Sequence, residues 1–288
     1  MSGQSIEKFA RLLVPPIVLR AVGGIRHRLR PGKPEWEYVG PSWPAAPADP
    51  RGQGWGAPSI LDTNKSKWPA FVRELAGRGP IVASPEAPNS RQADVIFHNT
   101  MMIYAFSLAM AARHKSGITM LDWGGGIGHF YLISQALVPD LDIDYSCNDL
   151  PGLAEYGQQL FPQAHFYTDT SCLDGQYDFV LASSSLQYMP DWASTFTRLA
   201  RACSGYLLVT RLPITHAAPA YVFVQRPYQY GYQTEYPAWC LNRAEFLDTA
   251  VSAGLELVRE FSIGFTIEVE NAPEPSEYRG FLFRAAAA

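Results

Sequence analysis

The feature that most constrains the fold is a glycine-rich turn between an apolar run and a helical pattern, at residues 118–131. Gly124, Gly126 and Gly128 stand at alternate positions, the first of them two residues after Asp122. Because glycine has no Cβ, the backbone there can turn sharply and approach a ligand, while N–H groups of the next helix face that ligand. The segment therefore predicts a strand, a tight turn and a helix that together bind a small molecule with an anionic end.

Spacing separates this turn from two common phosphate-binding loops. The dinucleotide motif Gly-x-Gly-x-x-Gly requires a glycine at the position of His129, and no other window restores the match. A P-loop requires Gly-Lys followed by Ser or Thr, which does not follow here. What remains is acid-x-Gly-x-Gly-x-Gly, either in a ligand-binding turn or in a turn that binds nothing.

That remaining pattern resembles motif I of the class I S-adenosylmethionine (SAM) methyltransferases. In this family the acid faces the amino-acid end of SAM and the glycine backbone lies along the ligand. A carboxylate suits SAM, which carries an ammonium and a sulfonium, better than it suits a pyrophosphate. The resemblance implies SAM as the cofactor, with contacts from Asp122, Trp123, Gly124, Gly125, Gly126 and Gly128.

Strand and helix patterns alternate from residue 118 onward. Such alternation indicates a parallel sheet with helices on both faces and a ligand site at the carboxyl ends of the strands. The resemblance implies an α/β, Rossmann-like class I methyltransferase fold, with a mostly parallel seven-stranded sheet, an antiparallel edge and an N-terminal helical or irregular extension. The predicted strands are residues 118–123, 141–147, 164–168, 179–183, 205–210, 255–267 and 278–283.

The patterns divide the chain into three parts. Residues 1–34 form a basic amphipathic segment, and residues 35–115 form an aromatic arm and helices that pack on the core. Residues 116–288 form the SAM-binding domain, with a tyrosine-rich cap at residues 219–239. Because residues 31–60 are rich in Pro, Gly and Trp, we expect the arm to be ordered but without regular elements.

The second predicted strand runs into Asn148-Asp-Leu-Pro151. Asp149 lies about 21 residues beyond Gly128, a spacing at which an acid can reach a ribose bound over the neighbouring strand. The Asp-Leu-Pro form looks like the one in small-molecule O-methyltransferases, which implies that Asp149 and Leu150 contact SAM, the former through its ribose. The alternative is a helix N-cap ahead of Pro151, and both roles can hold at once.

Two more strand ends carry polar residues that match the family pattern. Asp169, beside Thr170, matches the position whose carboxylate contacts the adenine amino group, although an ordinary turn aspartate fits equally well. Ser183 and Ser184 follow the fourth strand, where small residues leave room beside the sulfonium. The resemblance implies that all four contact SAM.

The segment after the fourth strand also carries Gln187 and Tyr188, which we expect to face the acceptor. Many plant-type O-methyltransferases have their catalytic His at the position of Gln187, so that base is missing here. His216, after the fifth strand, is the better candidate base and His129 the other; an ordinary loop histidine is an equally good interpretation of His216. The catalytic candidates are therefore His216, Gln187 and Tyr188.

Five tyrosines lie within sixteen residues, between Tyr221 and Tyr236. They predict either a packed aromatic loop or a cap whose rings stack on a sugar or an aromatic acceptor. We assign acceptor binding to Tyr228, Tyr230 and Tyr232.

Charge and composition limit the partners. Residues 1–34 carry seven basic residues against Glu7 alone, a net charge of +6, so the rest of the chain carries −10 of the total of −4. This acidic body argues against nucleic acid as the main substrate. The basic segment, with Arg26, Arg28 and Arg30 among apolar residues, predicts either peripheral contact with an anionic membrane or packing on the acidic body.

The four cysteines show no paired spacing, and no run is long and apolar enough to span a bilayer. They predict a reducing, cytoplasmic location, which includes the inner face of the membrane, and no metal site. The oligomeric state is left open by the sequence.

The function predicted is SAM-dependent methylation, on oxygen. A second resemblance, to a family of bacterial methyltransferases associated with surface-polysaccharide gene clusters, is carried by Trp36-Glu-Tyr-Val-Gly40, Asn148-Asp-Leu-Pro151 and Phe223-Val-Gln225. It implies a glycan or lipid-linked sugar hydroxyl as acceptor. The alternatives are an aromatic or polyketide-like small molecule as acceptor, and a SAM-binding protein without catalytic activity.

Overall fold

The computed structural model describes residues 33–45, 54–81 and 95–286. The chain divides into two units, Met1–Pro34 and Glu35–Ala288, and the description below concerns the second. The predicted basic segment 1–34 lies outside the described residues except for its last two. Among the described helices, none combines the length and the apolar character that crossing a bilayer requires.

The described residues form ten strands, six α-helices and four short 3₁₀ turns. The strands are β1 (Trp36–Gly40), β2 (Gly117–Trp123), β3 (Asp142–Asn148), β4 (His165–Tyr167), β5 (Tyr177–Ser183), β6 (Cys203–Thr215), β7 (Tyr221–Gln225), β8 (Tyr236–Asn242), β9 (Leu255–Ile267) and β10 (Ser276–Ala285). The helices are α1 (Pro58–Leu75), α2 (Val95–Ala111), α3 (His129–Leu137), α4 (Pro151–Leu160), α5 (Trp192–Ala202) and α6 (Arg243–Ser252). The 3₁₀ turns are Gly54–Gly56, Thr170–Asp174, Leu186–Tyr188 and Tyr228–Tyr230.

Seven of the strands form the predicted sheet, in the order β4-β3-β2-β5-β6-β10-β9. Neighbours from β4 to β6 are parallel, while β10 is antiparallel to both β6 and β9. The predicted Rossmann-like fold with an antiparallel edge is confirmed. Its register places Asp122 beside Cys147 and Trp123 beside Asn148, so the ends of β2 and β3 meet at one edge.

Three further strands extend the sheet beyond that fold. β7 pairs antiparallel with both β1 and β8, and β8 joins the far end of β6 through Ile214–Leu241 and Thr215–Asn242. The expectation of an arm without regular elements was wrong for residues 36–40, which form β1. The predicted cap at 219–239 likewise contains β7 and the start of β8, because its β-prone Tyr, Val and Phe residues find pairing partners.

Helix α2 packs against the face of the central sheet, where β6 and β9 contact it. One face of α2 is buried, with Met101, Tyr104 and Leu108 fully inaccessible in one apolar cluster with residues of β2 and β5. This packing fixes one face of the sheet and leaves the carboxyl ends of β2 to β6 free to form a site.

Candidate active site

One cavity of about 690 Å³ opens at the carboxyl ends of the parallel strands. Its volume falls within the range of about 300–1,000 Å³ that small-molecule sites occupy. Twelve of the residues predicted to bind cofactor or acceptor or to act in catalysis line it, together with residues that the sequence did not single out. The twelve are Trp123, Gly124, Gly125, Gly126, Asp149, Leu150, Asp169, Thr170, Ser183, Ser184, Tyr188 and Tyr232.

The glycine turn is required by both backbone angles and packing. Gly124 has φ +71, and a Cβ on it would lie 2.4 Å from Cβ of Ser185. A Cβ on Gly125 would lie 2.5 Å from Oδ2 of Asp122. Gly128, at φ +92, does not line the cavity, and a Cβ on it would lie 3.0 Å from the Phe166 ring and 3.1 Å from the Phe161 ring, so its role is packing.

Asp122 lies beneath this turn, outside the cavity wall, with only 1% of its surface exposed. Its Oδ2 accepts a hydrogen bond of 2.6 Å from the hydroxyl of Tyr145, while its Oδ1 is buried with no partner among the described residues. Burial raises the pKa of Asp122 to about 7, against the lowering effect of the Tyr145 hydrogen bond. The end of β2 therefore holds a carboxyl group that is poised to gain a cationic partner.

Asp149 reaches from the end of β3 to the glycine turn. Its Oδ2 accepts a hydrogen bond of 2.7 Å from N–H of Gly126, and its Oδ1 accepts one of 2.7 Å from N–H of Leu150. Leu150 is the cap residue of α4 and no side chain caps the helix, so the N-cap alternative for Asp149 is wrong. Burial raises the pKa of Asp149 to about 6, although both backbone hydrogen bonds act to lower it.

Asp169 caps the 3₁₀ turn Thr170–Asp174 and lines the cavity as well. Its Oδ1 accepts hydrogen bonds from N–H of Ser171 at 2.9 Å and from the Ser171 hydroxyl at 2.5 Å. These bonds hold the pKa of this exposed carboxyl below its usual value. The residue thus makes the local contacts of a turn aspartate while its position leaves the cofactor role open.

Two residues lie in the left-handed region: Ser184, directly after β5, at φ +55, and Arg211, within β6, at φ +54. Such conformations cost about 1–3 kcal/mol each in residues other than glycine, and they cluster at functional sites. Gln187 joins them: its Nε2 donates to Ser184 Oγ at 3.1 Å and to the Arg211 carbonyl at 3.3 Å. Gln187 is 1% exposed and does not line the cavity, so it lies behind the wall and not against the acceptor as predicted.

His216, the preferred candidate base, is not brought to the cavity. β6 continues past Thr210 because Ile214 and Thr215 pair with β8, which carries His216 beyond the site. There its Nε2 lies 2.8 Å from Oε1 of Glu277. The other candidate, His129, does line the cavity, but burial and the charge of Arg211 lower its pKa to about 3 and keep it neutral.

An aromatic wall faces the strand ends. It consists of Trp55, Tyr188, Tyr232 and Tyr236, and all four line the cavity. The Trp55 and Tyr236 rings stack at 4.5 Å between centroids, and the Tyr188 ring meets Trp55 edge-on at 4.9 Å. We call these four residues the aromatic wall.

The other two predicted acceptor tyrosines, Tyr228 and Tyr230, do not line the cavity. Tyr228 is 43% exposed, and its hydroxyl donates to Glu235 at 2.5 Å. Both lie in a 3₁₀ turn before Gly231, whose φ of +96 reverses the chain so that Tyr232 alone of the three enters the site.

Sequence reasoning missed Trp55, Asn64 and Arg211, all of which line the cavity. Trp55 and Asn64 belong to segments outside the βα alternation, so no spacing rule connects them with the site. Arg211 stands directly after the predicted fifth strand, at a carboxyl end. That position was a usable signal, because ligands of such sheets bind at the strand ends.

Comparison with known proteins adds a family to this geometry. A family model described as a methyltransferase domain matches residues 101–247, just over half of the chain. The chain belongs to this family. The finding confirms a SAM-dependent methyltransferase with SAM as its cofactor. No curated protein matches the chain.

Several solved methyltransferase structures are similar to this methyltransferase. Magnesium protoporphyrin IX methyltransferase from Synechocystis PCC 6803, with bound SAM, has 17% sequence identity and a TM-score of 0.44, covering 80% of this chain and 99% of its own. A structure described as a sarcosine dimethylglycine methyltransferase from Galdieria sulphuraria has 16% identity and a TM-score of 0.48, and the match covers 78% of this chain and 98% of that one. The 1,6-didemethyltoxoflavin-N1-methyltransferase of Burkholderia thailandensis has 16% identity and a TM-score of 0.42, covering 84% and 95%.

The residues of this methyltransferase fit SAM chemically. The cofactor carries two cationic groups and a ribose diol; the cavity wall offers the carboxyl of Asp149, and beneath the glycine turn a carboxyl oxygen of Asp122 is buried without a partner among the described residues. A buried acceptor without a partner costs about 1–3 kcal/mol, and a cation bound on the cavity side of the turn would lower that cost through its charge. The glycine turn lets backbone approach the ligand with no side chain between them.

Proposed function

We propose that this methyltransferase transfers the methyl group of SAM to a hydroxyl oxygen of a small acceptor, a sugar unit of a glycan or of a lipid-linked saccharide. The observation that carries the proposal is a single cavity lined on one side by the glycine turn with Asp149 and Asp169, and on the other by the aromatic wall. A cofactor and a ring-shaped acceptor can therefore share one enclosed site.

The cofactor roles follow the strand ends. Asp122 and the turn from Gly124 to Gly126 bind the methionine end of SAM. Asp149 accepts hydrogen bonds from the ribose hydroxyls, and Asp169 and Thr170 bind the adenine. Each carboxyl group is matched to a donor or a cation on the ligand, which is what supports these assignments.

The acceptor role falls to the aromatic wall. Trp55 and Tyr236 already stack on each other, and Tyr188 and Trp55 add edges and faces on which a sugar ring packs. The wall also supplies a polar group, because Nε1 of Trp55 is buried without a partner in the described structure. Hydroxyl-rich acceptors can meet such a group, and this supports a sugar.

Catalysis in this proposal rests on positioning. SAM supplies a methyl group on a sulfonium that is already activated. The protein would align the acceptor oxygen with that methyl and shield the reacting atoms from bulk water; the S–C bond would break as the O–C bond forms, leaving S-adenosylhomocysteine, and the hydroxyl proton would be released to water. The pKa of His129, about 3, is too low for a useful general base, and His216 lies outside the site.

An aromatic or polyketide-like hydroxyl acceptor is the second candidate. The observation that favours it is the stacked Trp55–Tyr236 pair, with ring planes 23° apart, since flat rings extend such a stack directly.

The experiment is methyl transfer from radiolabelled SAM to a panel that pairs oligosaccharides and nucleotide sugars with phenols of similar size. Labelled sugar products together with S-adenosylhomocysteine support the proposal, and labelled phenols select the second candidate. SAM binding by calorimetry without turnover on a full cell extract would instead indicate a binding protein without catalytic activity.

Peripheral contact with an anionic membrane stays a prediction, because residues 1–32 lie outside the described structure. We propose it for a lipid-linked acceptor on the basis of the +6 charge of residues 1–34. Co-sedimentation with anionic vesicles tests it: binding that persists after deletion of residues 1–34, or that ignores salt, would exclude this role.

A further inference from the structure

The charges that line the cavity are segregated along the strand edge. Of the described residues that line it, the acidic ones are Asp149 and Asp169, which follow β3 and β4. Arg211 in β6 is the one cationic side chain among the same residues, since His129 is neutral. With the strand order β8-β6-β5-β2-β3-β4, Arg211 belongs to a strand on one side of the glycine turn, and Asp149 and Asp169 follow strands on the other side.

The backbone places Arg211 at this position through a β-bulge. Leu212 pairs with Arg279 and Val209 pairs with Phe281, so that two residues of β6, Thr210 and Arg211, oppose the single Gly280. Bulges re-aim side chains and are frequent beside active sites. The left-handed conformation of Arg211 costs free energy that an arginine at an ordinary strand position would avoid.

Hydrogen bonds behind the surface of the cavity hold this bulge in place. Gln187 donates to the Arg211 carbonyl at 3.3 Å, and N–H of Ser184 donates to the Thr210 carbonyl at 2.9 Å. In front, Nε of Arg211 donates to Oγ of Ser183 at 3.3 Å, and both residues line the cavity. Nε of Arg211 therefore contacts the cavity wall at Ser183, on the β5 side of the glycine turn.

We propose that Arg211 binds an anionic group of the acceptor, a carboxylate or a phosphate, and so determines which acceptors are methylated. The inference rests on the proposed function, and it narrows the acceptor to a sugar acid, a sugar phosphate or an equally charged ring compound. Arginine presents a planar fork that matches both anions through two parallel hydrogen bonds. Gln187 is a positioning residue in this arrangement.

The first test asks whether the product is anionic. Small molecules extracted from the source cells are incubated with the full-length enzyme and radiolabelled SAM, and labelled products are passed over an anion exchanger at neutral pH. Retention of the label is the expected result. A labelled product that flows through as a neutral compound would overturn the inference and leave the proposed function intact.

The second test uses variants against that acceptor. Arg211→Gln is expected to raise KM roughly tenfold or more, the fold-change that corresponds to about 1.4 kcal/mol for a charge-assisted pair, and to leave the Kd of SAM within about twofold. Arg211→Lys, which keeps the charge but loses the fork, is expected to lie in between. Arg284→Gln, on the exposed pair with Glu256, is the matched control and leaves both constants unchanged.

The competing source of an anion is the carboxylate of SAM itself, and the third test separates it. Calorimetry compares SAM with 5′-methylthioadenosine, which lacks the amino-acid end. If Arg211→Gln weakens SAM binding but not that of 5′-methylthioadenosine, Arg211 belongs to the cofactor site and the inference is wrong.

A measurement on the wild type keeps the inference testable if the variants fail to fold or if no labelled product forms. Malonate and inorganic phosphate are titrated into the enzyme loaded with S-adenosylhomocysteine. Binding that weakens with rising salt is expected, and where Arg211→Gln folds it should bind these anions more weakly than the wild type. Failure of both anions to bind the wild type would overturn the inference, whereas failure of SAM itself to bind would contradict the proposed function.

Discussion

The two sides of the cavity are built in different ways. On the side proposed for the cofactor, the backbone and carboxyl groups that line the cavity follow three strands that are consecutive in the chain, from Gly124 to Thr170. The side proposed for the acceptor draws on Trp55, Tyr188, Arg211 and Tyr232, which come from four separate segments. In the proposed function, SAM is therefore bound by one contiguous stretch of the sheet, and the acceptor by residues added to it.

The additions are held together by long-range hydrogen bonds. Oγ1 of Thr234 donates to the Gly54 carbonyl at 2.9 Å, and N–H of Gln233 donates to Oγ of Ser59 at 3.0 Å. These bonds fasten the loop that carries Tyr232 to the turn that carries Trp55. Changes on this side should therefore alter acceptor use, whereas changes on the other side should alter SAM binding.

The largest expected effect is on the cofactor side, from Gly125→Ala. The new Cβ would lie 2.5 Å from Asp122 and 2.7 Å from Sγ of Cys147, so the turn must move. We expect SAM affinity to fall by more than roughly a hundredfold and stability to fall by about 1–3 kcal/mol, as overpacking does. Calorimetry and thermal unfolding measure the two effects.

Gly79→Ala is the matched control, because a Cβ there would meet nothing within 4 Å. It should change neither measurement appreciably. If Gly125→Ala binds SAM as tightly as the wild type, the turn does not hold the cofactor and the two sides have been assigned wrongly.

The second effect concerns Asp149 and pH. Its carboxylate must accept hydrogen bonds from the ribose, and its pKa is raised to about 6, so it takes up a proton as pH falls through that value. SAM affinity is therefore expected to decrease between pH 7 and pH 5. Asp149→Asn should weaken SAM by about 1–3 kcal/mol at pH 7, the cost of unpaired hydroxyls, and should flatten the part of the profile near pH 6.

Calorimetry at several pH values measures this profile. If the SAM affinity of Asp149→Asn falls with pH as steeply as that of the wild type, another group, such as Asp122 with its pKa of about 7, controls the pH dependence of binding.

The third effect tests the acceptor side alone. Trp55→Ala removes the ring that stacks on Tyr236 and contacts Tyr188, and we expect kcat/KM for the acceptor to fall roughly tenfold or more, from about 1.5 kcal/mol of lost ring contact. The Kd of SAM should stay within about twofold. Tyr230→Ala, outside the cavity, is the control. If Trp55→Ala weakened SAM binding and acceptor binding equally, the two sides of the cavity would not bind different ligands as proposed.

The difference between the two sides of the cavity also explains which features could be predicted from the sequence. The fold and the positions after β2, β3 and β4 were predictable, because strand ends and glycine spacing are local signals. Trp55 was not predictable, since its place beside Tyr236 depends on contacts between segments far apart in the chain, such as the hydrogen bond from Thr234 to the Gly54 carbonyl. Gln187 was expected to face the acceptor, but its amide is turned behind the wall to Ser184 and Arg211.

The length of β6 explains why His216 does not reach the cavity. The sequence predicted the end of the fifth strand at residue 210, whereas β6 runs to Thr215 because β10 pairs with residues 212–214 and β8 pairs with Ile214 and Thr215. Pairing between segments distant in the chain cannot be read from local alternation alone.

The smallest expected effect follows from that longer strand, and it is His216→Ala. His216 pairs with Glu277 at 2.8 Å on a partly exposed surface, where such pairs contribute about 0–1 kcal/mol. Removing the imidazole should leave kcat and its pH profile unchanged within about twofold, because no acceptor bound against the aromatic wall lies beside it. Steady-state kinetics between pH 6 and pH 9 measure this, with Glu277→Gln as the partner control. A loss of kcat of a hundredfold in His216→Ala, with Glu277→Gln still active, would show that methyl transfer occurs on the His216 side and that the aromatic wall serves another purpose.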